Sequence, residues 1–347
     1  MMIRICAFTD RGRRLADQIE SKMPEHLFER RGDGENLKLW TKKAFSLRVP
    51  IVFIGACGIA VRTIAPYVQD KLWDSPVIVV DEKGEYVIPI LSGHMGGGND
   101  LAILLAKCLG AQAVLTTATD VNHLFAIDVF ARANGLSICE RGGIQRVSAK
   151  LLQEGKITMC IAPDIAYEEC EVPDEVQILP YESGQSPDVV ITNVPQGWKQ
   201  SGTETQPLIL APKQYVLGIG CKKDTAMENI ACLADKILQD PKLNSTYEEV
   251  AAIASIDLKA RERGLLLFGA WHHIEIKTYT TDELSAVPGK FTESEFVKNV
   301  TGVSNVCERA AVCCAGEGAE LVVKKVAQDG VTVAVARRKG RIIEWKK

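Results

Sequence analysis

The stretch 91–100, LSGHMGGGND, holds the densest group of chemically useful residues in this sequence. Its histidine, His94, can accept or release a proton near neutral pH. The glycines around it let backbone N–H groups come close to a ligand. A helix that begins after them would add a positive field for an anion or a developing oxyanion. We therefore predict a functional site here, with ligand contacts from Ser92, Gly93, Gly96, Gly97, Gly98 and Asn99.

The same residues also allow a purely structural interpretation. The glycines would then form a tight turn, and His94 would be a structural hydrogen-bonding group. Asn99 or Asp100 would cap the following helix. We favour the functional interpretation, because glycines at this density rarely arise only to make a turn.

A second segment, 55–62, reads GACGIAVR and again places glycines between a predicted strand and a predicted helix. Arg62 can hold a carboxylate through two parallel hydrogen bonds, and Gly55 and Gly58 would allow close approach of a ligand. Small residues here are equally compatible with a helix that packs closely on a sheet.

A third segment, 218–225, reads GIGCKKDT and repeats this arrangement near the end of the chain. It matches neither the P-loop pattern nor a complete dinucleotide fingerprint, so nucleotide binding is not supported. Cys221 is interpreted as a buried bystander thiol. The lysines can neutralise a polyanionic ligand, or they are simply exposed to water. The candidate ligand contacts are Gly218, Gly220, Lys222 and Lys223.

Two smaller features involve hydroxyls and histidines. TTATD at 116–120 is predicted to end a strand, so Thr117 and Asp120 are candidates either for the edge of a site or for a helix cap. His272 and His273 are adjacent and would point apart on a strand, so we do not expect a metal pair from them. No cluster of metal-ligand spacing is present, and no protein-bound metal is predicted.

The elements that must position these segments alternate between strands and helices. Continuous apolar runs of strand length are typical of strands that are buried on both faces. The predicted strands are 3–8, 49–55, 76–81, 86–91 and 113–120, and the predicted helices are 11–22, 58–68 and 99–109. This alternation predicts a doubly wound, mostly parallel α/β sheet.

The predicted fold class is α/β with three domains. Residues 1–123 would form the doubly wound N-terminal domain, 124–212 a small middle domain with a loop-rich exit, and 213–347 a C-terminal α/β domain. The elements predicted in the last domain are strands at 215–221, 250–255 and 273–280, helices at 225–239, 258–263, 292–299 and 304–314, and a closing hairpin turned at Asp329-Gly330.

Composition excludes several classes of protein. The net charge is −3 and no long basic run occurs among the 347 residues, so we expect no binding to nucleic acid. The start, MMIRICAFTD, lacks the apolar stretch of a signal peptide, and no apolar window is long enough to span a membrane. Eleven scattered cysteines without a Cys-x-x-Cys pair predict a reducing compartment, the cytoplasm.

Together these motifs resemble the cobalt-precorrin-5A hydrolases, the CbiG family of cobalamin biosynthesis. The segments that carry the resemblance are VFIGACGIAVRTIAP, IVVDEKGEYVIPILSGHMGGGNDLA, TTATD, GIGCKKDT, SIDLKARERGL and VSNVCERAAVCCAG with a following VAVAR strand. They keep the family's order across most of 46–340. Three positions depart from it: Gly98 replaces the usual alanine, Asp100 replaces the usual glutamate, and Asp224 stands where many relatives have glycine.

The resemblance implies an α/β N-terminal domain, a small middle domain and an α/β C-terminal domain. It implies a cobalt-bearing corrinoid substrate whose ring-A acetate is esterified to C20 as a δ-lactone. The implied products are acetaldehyde and cobalt-precorrin-5B. No cofactor is expected, since the cobalt arrives within the substrate. Transient contacts with other cobalamin-pathway enzymes would be compatible with this role.

In this hypothesis His94 is the base for the attacking water, and Asp100 or Asp120 orients it. The backbone N–H groups of Gly96 to Gly98 would stabilise the oxyanion. Glu308 is a candidate second acid or base, with a surface pairing to Arg309 as the alternative. A ligand of this size suggests a cleft between the first and last domains. The residues expected to hold the carboxylate arms are Arg62, Lys222, Lys223, Lys259 and Arg309.

The rival interpretation is a corrinoid-binding carrier that hands on an intermediate without chemistry. Acetaldehyde release would distinguish the two, because a carrier produces none above the spontaneous rate.

Overall fold

Three main sheets organise the protein, in a computed structural model that describes residues 1–70, 73–94, 96–122, 124–181, 185–194, 206–293, 295, 301–339 and 342–345. The chain divides into two compact units. The first unit contains Met1–Leu115, Val216–Tyr247 and Ala252–Arg337, and the second contains Thr116–Tyr215, Glu248–Ala251 and Arg338–Lys347. The α/β fold class is confirmed. The three predicted domain boundaries stay a prediction, although the first and third sheets share one unit.

The first sheet has the strand order β2-β1-β3-β4-β5-β6. Its strands are β1 (Met2–Ala7), β2 (Leu27–Arg30), β3 (Ile51–Ile54), β4 (Val77–Val80), β5 (Tyr86–Leu91) and β6 (Gln112–Ala113). The helices of this part are α1 (Asp10–Lys22), α2 (Leu37–Leu47), α3 (Cys57–Ile64) and α4 (Gly98–Leu109).

The central strands β3 and β4 are buried at every residue, as continuous apolar runs predict. Helices α1 and α4 cover one face of the sheet, where Ile19 and Leu105 are fully buried. Helices α2 and α3 cover the other face, where Trp40 is fully buried. The first sheet is therefore the middle layer of three.

Strand β5 runs antiparallel to its neighbour β4, whereas β1, β2, β3 and β4 are mutually parallel. In this pairing Leu91 lies opposite Val77, and Val87 lies opposite Val80. A tight turn reverses the chain, because the Asp81 carboxylate accepts hydrogen bonds from the backbone N–H groups of Lys83, Glu85 and Tyr86. The end of β5 consequently lies beside the beginning of β4.

The sequence did not predict β2 or α2, and the strand expected at 113–120 is wrong. Strand β6 ends at Ala113, and a short helix, α5 (Ala118–Val121), takes up most of TTATD. The run TTATD contains β-forming threonines, yet the residues that pair with β5 are Gln112 and Ala113, which precede this run. Strand β5 continues to Leu91 beyond this pairing, so the pairing ends where the chain leaves β5 for α5, and tertiary context overrides the local propensity.

The second unit is built on a five-stranded sheet with the order β10-β8-β11-β12-β7. Its remaining helices are α6 (Ile127–Ala133) and α7 (Arg141–Glu154), and its strands are β7 (Leu136–Ile138), β8 (Ile157–Ile161), β9 (Ala166–Tyr167), β10 (Val176–Ile178), β11 (Val189–Ile191) and β12 (Leu208–Pro212). Strands β8, β10, β11 and β12 are parallel, and β7 is antiparallel to β12. Most of the predicted exit loop, at 182–184 and 195–205, lies outside the described residues.

The third sheet has the order β15-β14-β13-β17-β16. Its elements are β13 (Tyr215–Cys221), α8 (Met227–Leu238), β14 (Val250–Ile256), α9 (Arg263–His272), β15 (Ile276–Tyr279), α10 (Thr281–Ala286), α11 (Val306–Ala315), β16 (Glu320–Gln328) and β17 (Val331–Arg337). The hairpin at Asp329-Gly330 is confirmed, and both residues have positive φ. A last strand, β18 (Ile342–Ile343), pairs with β9 in the second unit.

Helix α9 was misplaced by the sequence. The predicted helix at 258–263 is only a short 3-10 turn, Asp257–Lys259, and the true helix begins at Arg263. His272 ends this helix and His273 follows it in the left-handed conformation, so neither lies on a strand. The helix predicted at 292–299 falls largely outside the described residues.

The first and third sheets meet through α9. Leu266 and Leu267 on α9 are buried in the same apolar cluster as Trp40 and Phe53 of the first sheet's layer. Packing of this kind fills the space along the face of the first sheet. The cleft expected between these two parts therefore does not lie along α9.

Candidate functional site

The two glycine segments of the first sheet lie at opposite ends of it. Gly55 follows β3 at the end where Ile54 pairs with Val80, whereas Ser92 follows β5 at the end where Leu91 pairs with Val77. We call these ends the carboxyl end and the amino end, after the direction of β1 to β4. Because β3 has four residues, they are separated by roughly 10 Å. The structure does not bring the two segments together.

At the amino end, the loop at 92–97 is held by its own hydrogen bonds. The Ser92 hydroxyl donates to the carbonyl of Asp74 at 2.8 Å, and Ser92 has a left-handed φ of 54°. The amide of Gly97 donates to the carbonyl of His94 at 3.0 Å, and the amide of Gly98 to the carbonyl of Ser92 at 3.1 Å. The loop is thus folded back on itself before α4 begins.

Close packing or backbone conformation explains why glycine occupies positions 93, 96, 97 and 98. A Cβ added at Gly96 would lie 2.7 Å from both Cβ and the carbonyl oxygen of Ser92. At Gly98 it would lie 3.0 Å from the carbonyl oxygen of Ser92, and at Gly93 it would collide with the side chain of Asn99. Gly97 has a φ of 78°, which favours glycine. Close packing alone accounts for the glycine density.

Two of the three expected oxyanion donors, Gly97 and Gly98, are therefore corrected, and the assignment of Gly96 stays a prediction. The amides of Gly97 and Gly98 already donate to loop carbonyls, and the amide of Asn99 donates to Gly93 at 2.8 Å. A donor that is already paired is not aimed at a ligand. The helix-cap alternative is also wrong, because the cap of α4 is Gly97, and Asn99 and Asp100 lie inside the helix.

His94 is half-buried in this loop, and Asp100 is exposed in the first turn of α4. The negative charge of Asp100 is favourable there because of the helix N-terminus. Asn99 is 7% exposed. Thr117 and Asp120 belong to the second unit, at the start of α5.

At the carboxyl end, the segment 55–62 is more open. Gly55 has a φ of 153°, and an added Cβ would lie 3.0 Å from the ring of Phe8. Gly58 is exposed in the first turn of α3, and an added Cβ would meet only the guanidinium of Arg62, at 3.5 Å. Arg62 is exposed and makes no ion pair or hydrogen bond with the described part of the chain. It is available to a ligand.

The third glycine segment is not a loop at its start. Gly218 and Gly220 lie within β13. A Cβ at Gly218 would overlap the carbonyl of Cys307 on α11, and one at Gly220 would lie 2.6 Å from the hydroxyl of Thr332 on β17. These glycines permit close packing of α11 and β17, so their assignment as ligand contacts is corrected.

The residues after β13 form a charged group with the start of α9. Glu262 accepts a hydrogen bond from the backbone of Asp224 at 2.9 Å and pairs with Lys259 at 2.9 Å. Lys259, expected to bind a substrate arm, is therefore already neutralised. Lys222 and Lys223 are exposed. Burial raises the pKa of Cys221 to about 11, which keeps this thiol protonated and agrees with its bystander role.

Two ion pairs that share Glu29 connect the start of α9 to the first sheet. Arg263, the first residue of α9, pairs with Glu29 of β2 at 2.6 Å. Glu29 also lies 3.6 Å from the buried guanidinium of Arg4 on β1. In the strand register Glu29 lies level with Arg4 and with Ile51, the first residue of β3, so this ion pair does not lie at the end of the first sheet where Gly55 follows β3.

Glu308 and Arg309 are structural residues. Glu308 is fully buried, and its carboxylate accepts hydrogen bonds from the amide and hydroxyl of Thr292 and from the amide of Lys325, at 2.7–2.8 Å. It is neither an exposed acid nor part of a surface pair. Arg309 donates to the carbonyls of Leu284, Ser285 and Val287 at the end of α10. Both assignments to the substrate site are corrected.

Sequence reasoning missed an aromatic stack at the amino end. The guanidinium of Arg48 lies 4.6 Å from the ring of Trp73 and 4.5 Å from that of Trp271, and it donates to the carbonyl of Trp271 at 2.7 Å. The His273 ring lies 5.4 Å from that of Trp73. The only signal in the sequence was two isolated tryptophans, which any apolar core would also explain.

Within the described ranges, no helix is long and apolar enough to cross a bilayer. No group of three or more potential metal ligands comes together among the same residues.

Two family models match the chain. Residues 39–120 match the model described as Cobalamin synthesis G N-terminal, and residues 215–336 match Cobalamin synthesis G C-terminus. The first range contains both glycine segments of the first sheet, and the second contains the segment 218–225.

Curated relatives agree with these matches. The cobalt-precorrin-5A hydrolase of Salmonella typhimurium is 33% identical over 306 residues, which cover 85% of this chain and 83% of that protein. The cobalt-precorrin-5A hydrolase of Priestia megaterium is 32% identical, over 82% of this chain and 78% of that protein. Among solved structures, a cobalamin biosynthesis protein G homolog from Sulfolobus solfataricus covers 97% of both chains at 22% identity, with a TM-score of 0.41.

Proposed function

Because the chain belongs to the cobalamin synthesis G family, we propose that it is a cobalt-precorrin-5A hydrolase. In this reaction water opens the ring-A acetate δ-lactone of the corrinoid, and C20 leaves with its methyl group as acetaldehyde. The observation that carries the proposal is the 33% identity to a relative of that name over 83% of the relative's length. The family models support it, since they include all three glycine segments.

The attacking water needs a base within about 3 Å, and we assign this role to His94. The bonds that fold the loop back on itself support the assignment, because they hold the backbone of His94 in one position. A fixed base loses less entropy when the water is bound. Asp100, in the first turn of α4, is the residue of the first unit proposed to orient it.

Opening the lactone gives a carboxylate on the ring-A arm and a hydroxyl on C20. Removal of the hydroxyl proton allows the C–C bond to C20 to break, and the conjugated macrocycle accepts the electron pair. His94 can take this second proton after releasing the first to bulk water.

The carboxylate arms of the corrinoid are assigned to three exposed cations, Arg62 at the carboxyl end of the first sheet and Lys222 and Lys223 after β13. Lys259 and Arg309 leave this set, because each is already paired. Since the two ends of β3 are separated by roughly 10 Å, His94 and Arg62 would contact different parts of the macrocycle.

The test is acetaldehyde trapping with the full chain and cobalt-precorrin-5A. Enzyme-dependent acetaldehyde in equal amount to the opened lactone supports the proposal. Binding of the corrinoid without acetaldehyde above the spontaneous rate would instead identify a carrier.

A further inference from the structure

A cavity of about 260 Å³ lies in the second unit, apart from the glycine segments. The residues that line it follow the ends of three neighbouring strands. Asp164 follows β8, Asn193 follows β11, and Lys213 follows β12. Because these strands are parallel, the cavity lies at their shared carboxyl ends, where open α/β sheets bind ligands.

Lys213 supplies this cavity with a positive charge that forms no ion pair within the described ranges. Its ammonium makes no hydrogen bond or ion pair with any residue that the structure describes. Burial lowers the pKa of Lys213, and the more distant Glu248 offsets this only in part. A partly desolvated ammonium without a partner is costly, and an anion in the cavity would relieve that cost.

The other polar groups leave the cavity with one net positive charge. Arg338 lines it, and its backbone amide is fixed by a 2.9 Å hydrogen bond to the carbonyl of Gln214. The single carboxylate, Asp164, already accepts a 2.7 Å hydrogen bond from the side chain of Asn193. Among the lining residues, Lys213 and Arg338 are cations and Asp164 is the carboxylate. This combination favours a ligand with a single negative charge.

The size of the cavity limits the ligand further. A volume of about 260 Å³ is below the usual range for drug-sized ligands, so the cavity fits a short carboxylic acid or one arm of a larger molecule. A guanidinium beside an ammonium matches the planar, two-oxygen geometry of a carboxylate.

We propose that this cavity is a carboxylate-binding site formed by Lys213 and Arg338. Its carboxylate comes either from an acetate or propionate arm of the corrinoid or from a free short-chain acid. The first source rests on the proposed function, and the preference for a carboxylate does not.

The experiment measures binding to the full chain by calorimetry with three probes. Propionate represents a free acid, cobyrinic acid is a corrinoid whose arms are carboxylates, and cobinamide is a corrinoid whose arms are amides. The variant Lys213→Met removes the charge, and Lys213→Arg keeps it. Lys156→Met is the matched control, because Lys156 is an exposed lysine immediately before β8, at the opposite end of the same sheet.

We expect Lys213→Met to weaken the binding of a carboxylate probe by about tenfold or more, and Lys213→Arg and Lys156→Met to retain it. If Lys213→Met binds cobyrinic acid more weakly but binds cobinamide as the wild type does, the carboxylate in the cavity belongs to an arm of the corrinoid. If only the binding of propionate is weakened, the ligand of the cavity is a free acid. That conclusion would stand even if the chain released no acetaldehyde.

Wild-type affinity of Lys213→Met for both propionate and cobyrinic acid would overturn the proposal. So would a wild-type chain that binds neither probe. If Lys213→Met does not fold, Lys213→Gln is measured in the same way, with the same outcomes.

Discussion

The segments 55–62 and 92–98 are similar in sequence, but their glycines do different things. At the amino end, a Cβ added at Gly96 or Gly98 would run into the backbone of the loop itself. At the carboxyl end, a Cβ at Gly58 would meet only the end of the flexible Arg62 side chain. The first segment is closed by its own packing, and the second is open around an unpaired guanidinium.

This difference separates two roles that the sequence had combined in one site. A loop that is closed and internally bonded can hold one side chain still, which suits a proton-transferring residue. An exposed, unpaired arginine suits the capture of a carboxylate. We therefore assign chemistry to the amino end and part of the substrate binding to the carboxyl end.

The largest effect should come from His94→Ala. If His94 is the base, kcat for acetaldehyde release falls by about 10²–10⁴-fold, with little change in the free energy of unfolding. Stopped assays with an aldehyde trap measure kcat at saturating substrate. The control is His26→Ala, which removes another half-buried histidine outside the loop. Unchanged turnover in His94→Ala would move the chemistry away from the amino end.

The next effect concerns stability and compares Gly96→Ala with Gly58→Ala. The added methyl at Gly96 overpacks the loop and should lower the free energy of unfolding by about 1–3 kcal/mol. At Gly58 it meets only the flexible end of the Arg62 side chain and lies in a helix, where alanine is favoured over glycine by up to about 1 kcal/mol. Urea unfolding of both variants measures the difference. Equal stabilities would show that the loop is not closed as described.

The sequence predicted most of the fold, because continuous apolar runs identify buried strands such as β3 and β4. It missed β2 and α2, where the pattern is weaker and tertiary packing decides. The four residues between the strands predicted at 76–81 and 86–91 are too few for a parallel crossover, so the sequence is consistent with the reversal of β5; the order of the six strands is a long-range property that it did not show. That one reversal places His94 and Arg62 at opposite ends of the sheet.

The site was harder to predict for a related reason. Gly218 and Gly220 resembled a ligand loop, yet their neighbours are α11 and β17, which are more than 80 residues later in the chain. Glu308 looked available, but its partners Thr292 and Lys325 are 16 and 17 residues away and become clear only in three dimensions. Residue types indicate what a side chain can do, and partners decide whether it is free to do it.

A smaller effect is expected from Arg62→Met. Loss of one charge-assisted contact to a carboxylate should raise KM by about tenfold, or about 1.4 kcal/mol, and leave kcat near the wild-type value. Steady-state kinetics measure both constants. Lys43→Met is the control, because Lys43 is an exposed cation on α2. An unchanged KM in Arg62→Met would restrict substrate binding to the amino end.

The smallest effect is an acid response at the amino end. His272 ends α9 next to Trp271, and its ring stacks on Tyr247 with centroids 3.7 Å apart. The pKa of His272 is lowered from 6.5 to about 4, mainly by burial; Asp235 partly opposes the shift, and the positive charge of Arg48 contributes to it. The unfolded chain therefore binds a proton between these pH values before the folded chain does. The stability that His272 contributes is complete above pH 6.5 and declines as the pH falls towards 4.

In His272→Asn this titration is absent, so the free energy of unfolding should decline less steeply over the same interval. Its value at neutral pH should be slightly lower, because the stacking on Tyr247 is lost. Urea unfolding at a series of pH values gives both slopes. Burial also lowers the pKa of His26, so some of the wild-type decline should remain in the variant. If the two slopes are the same, His272 is solvated in solution, and the amino end is less closely packed than the stack around Arg48 indicates.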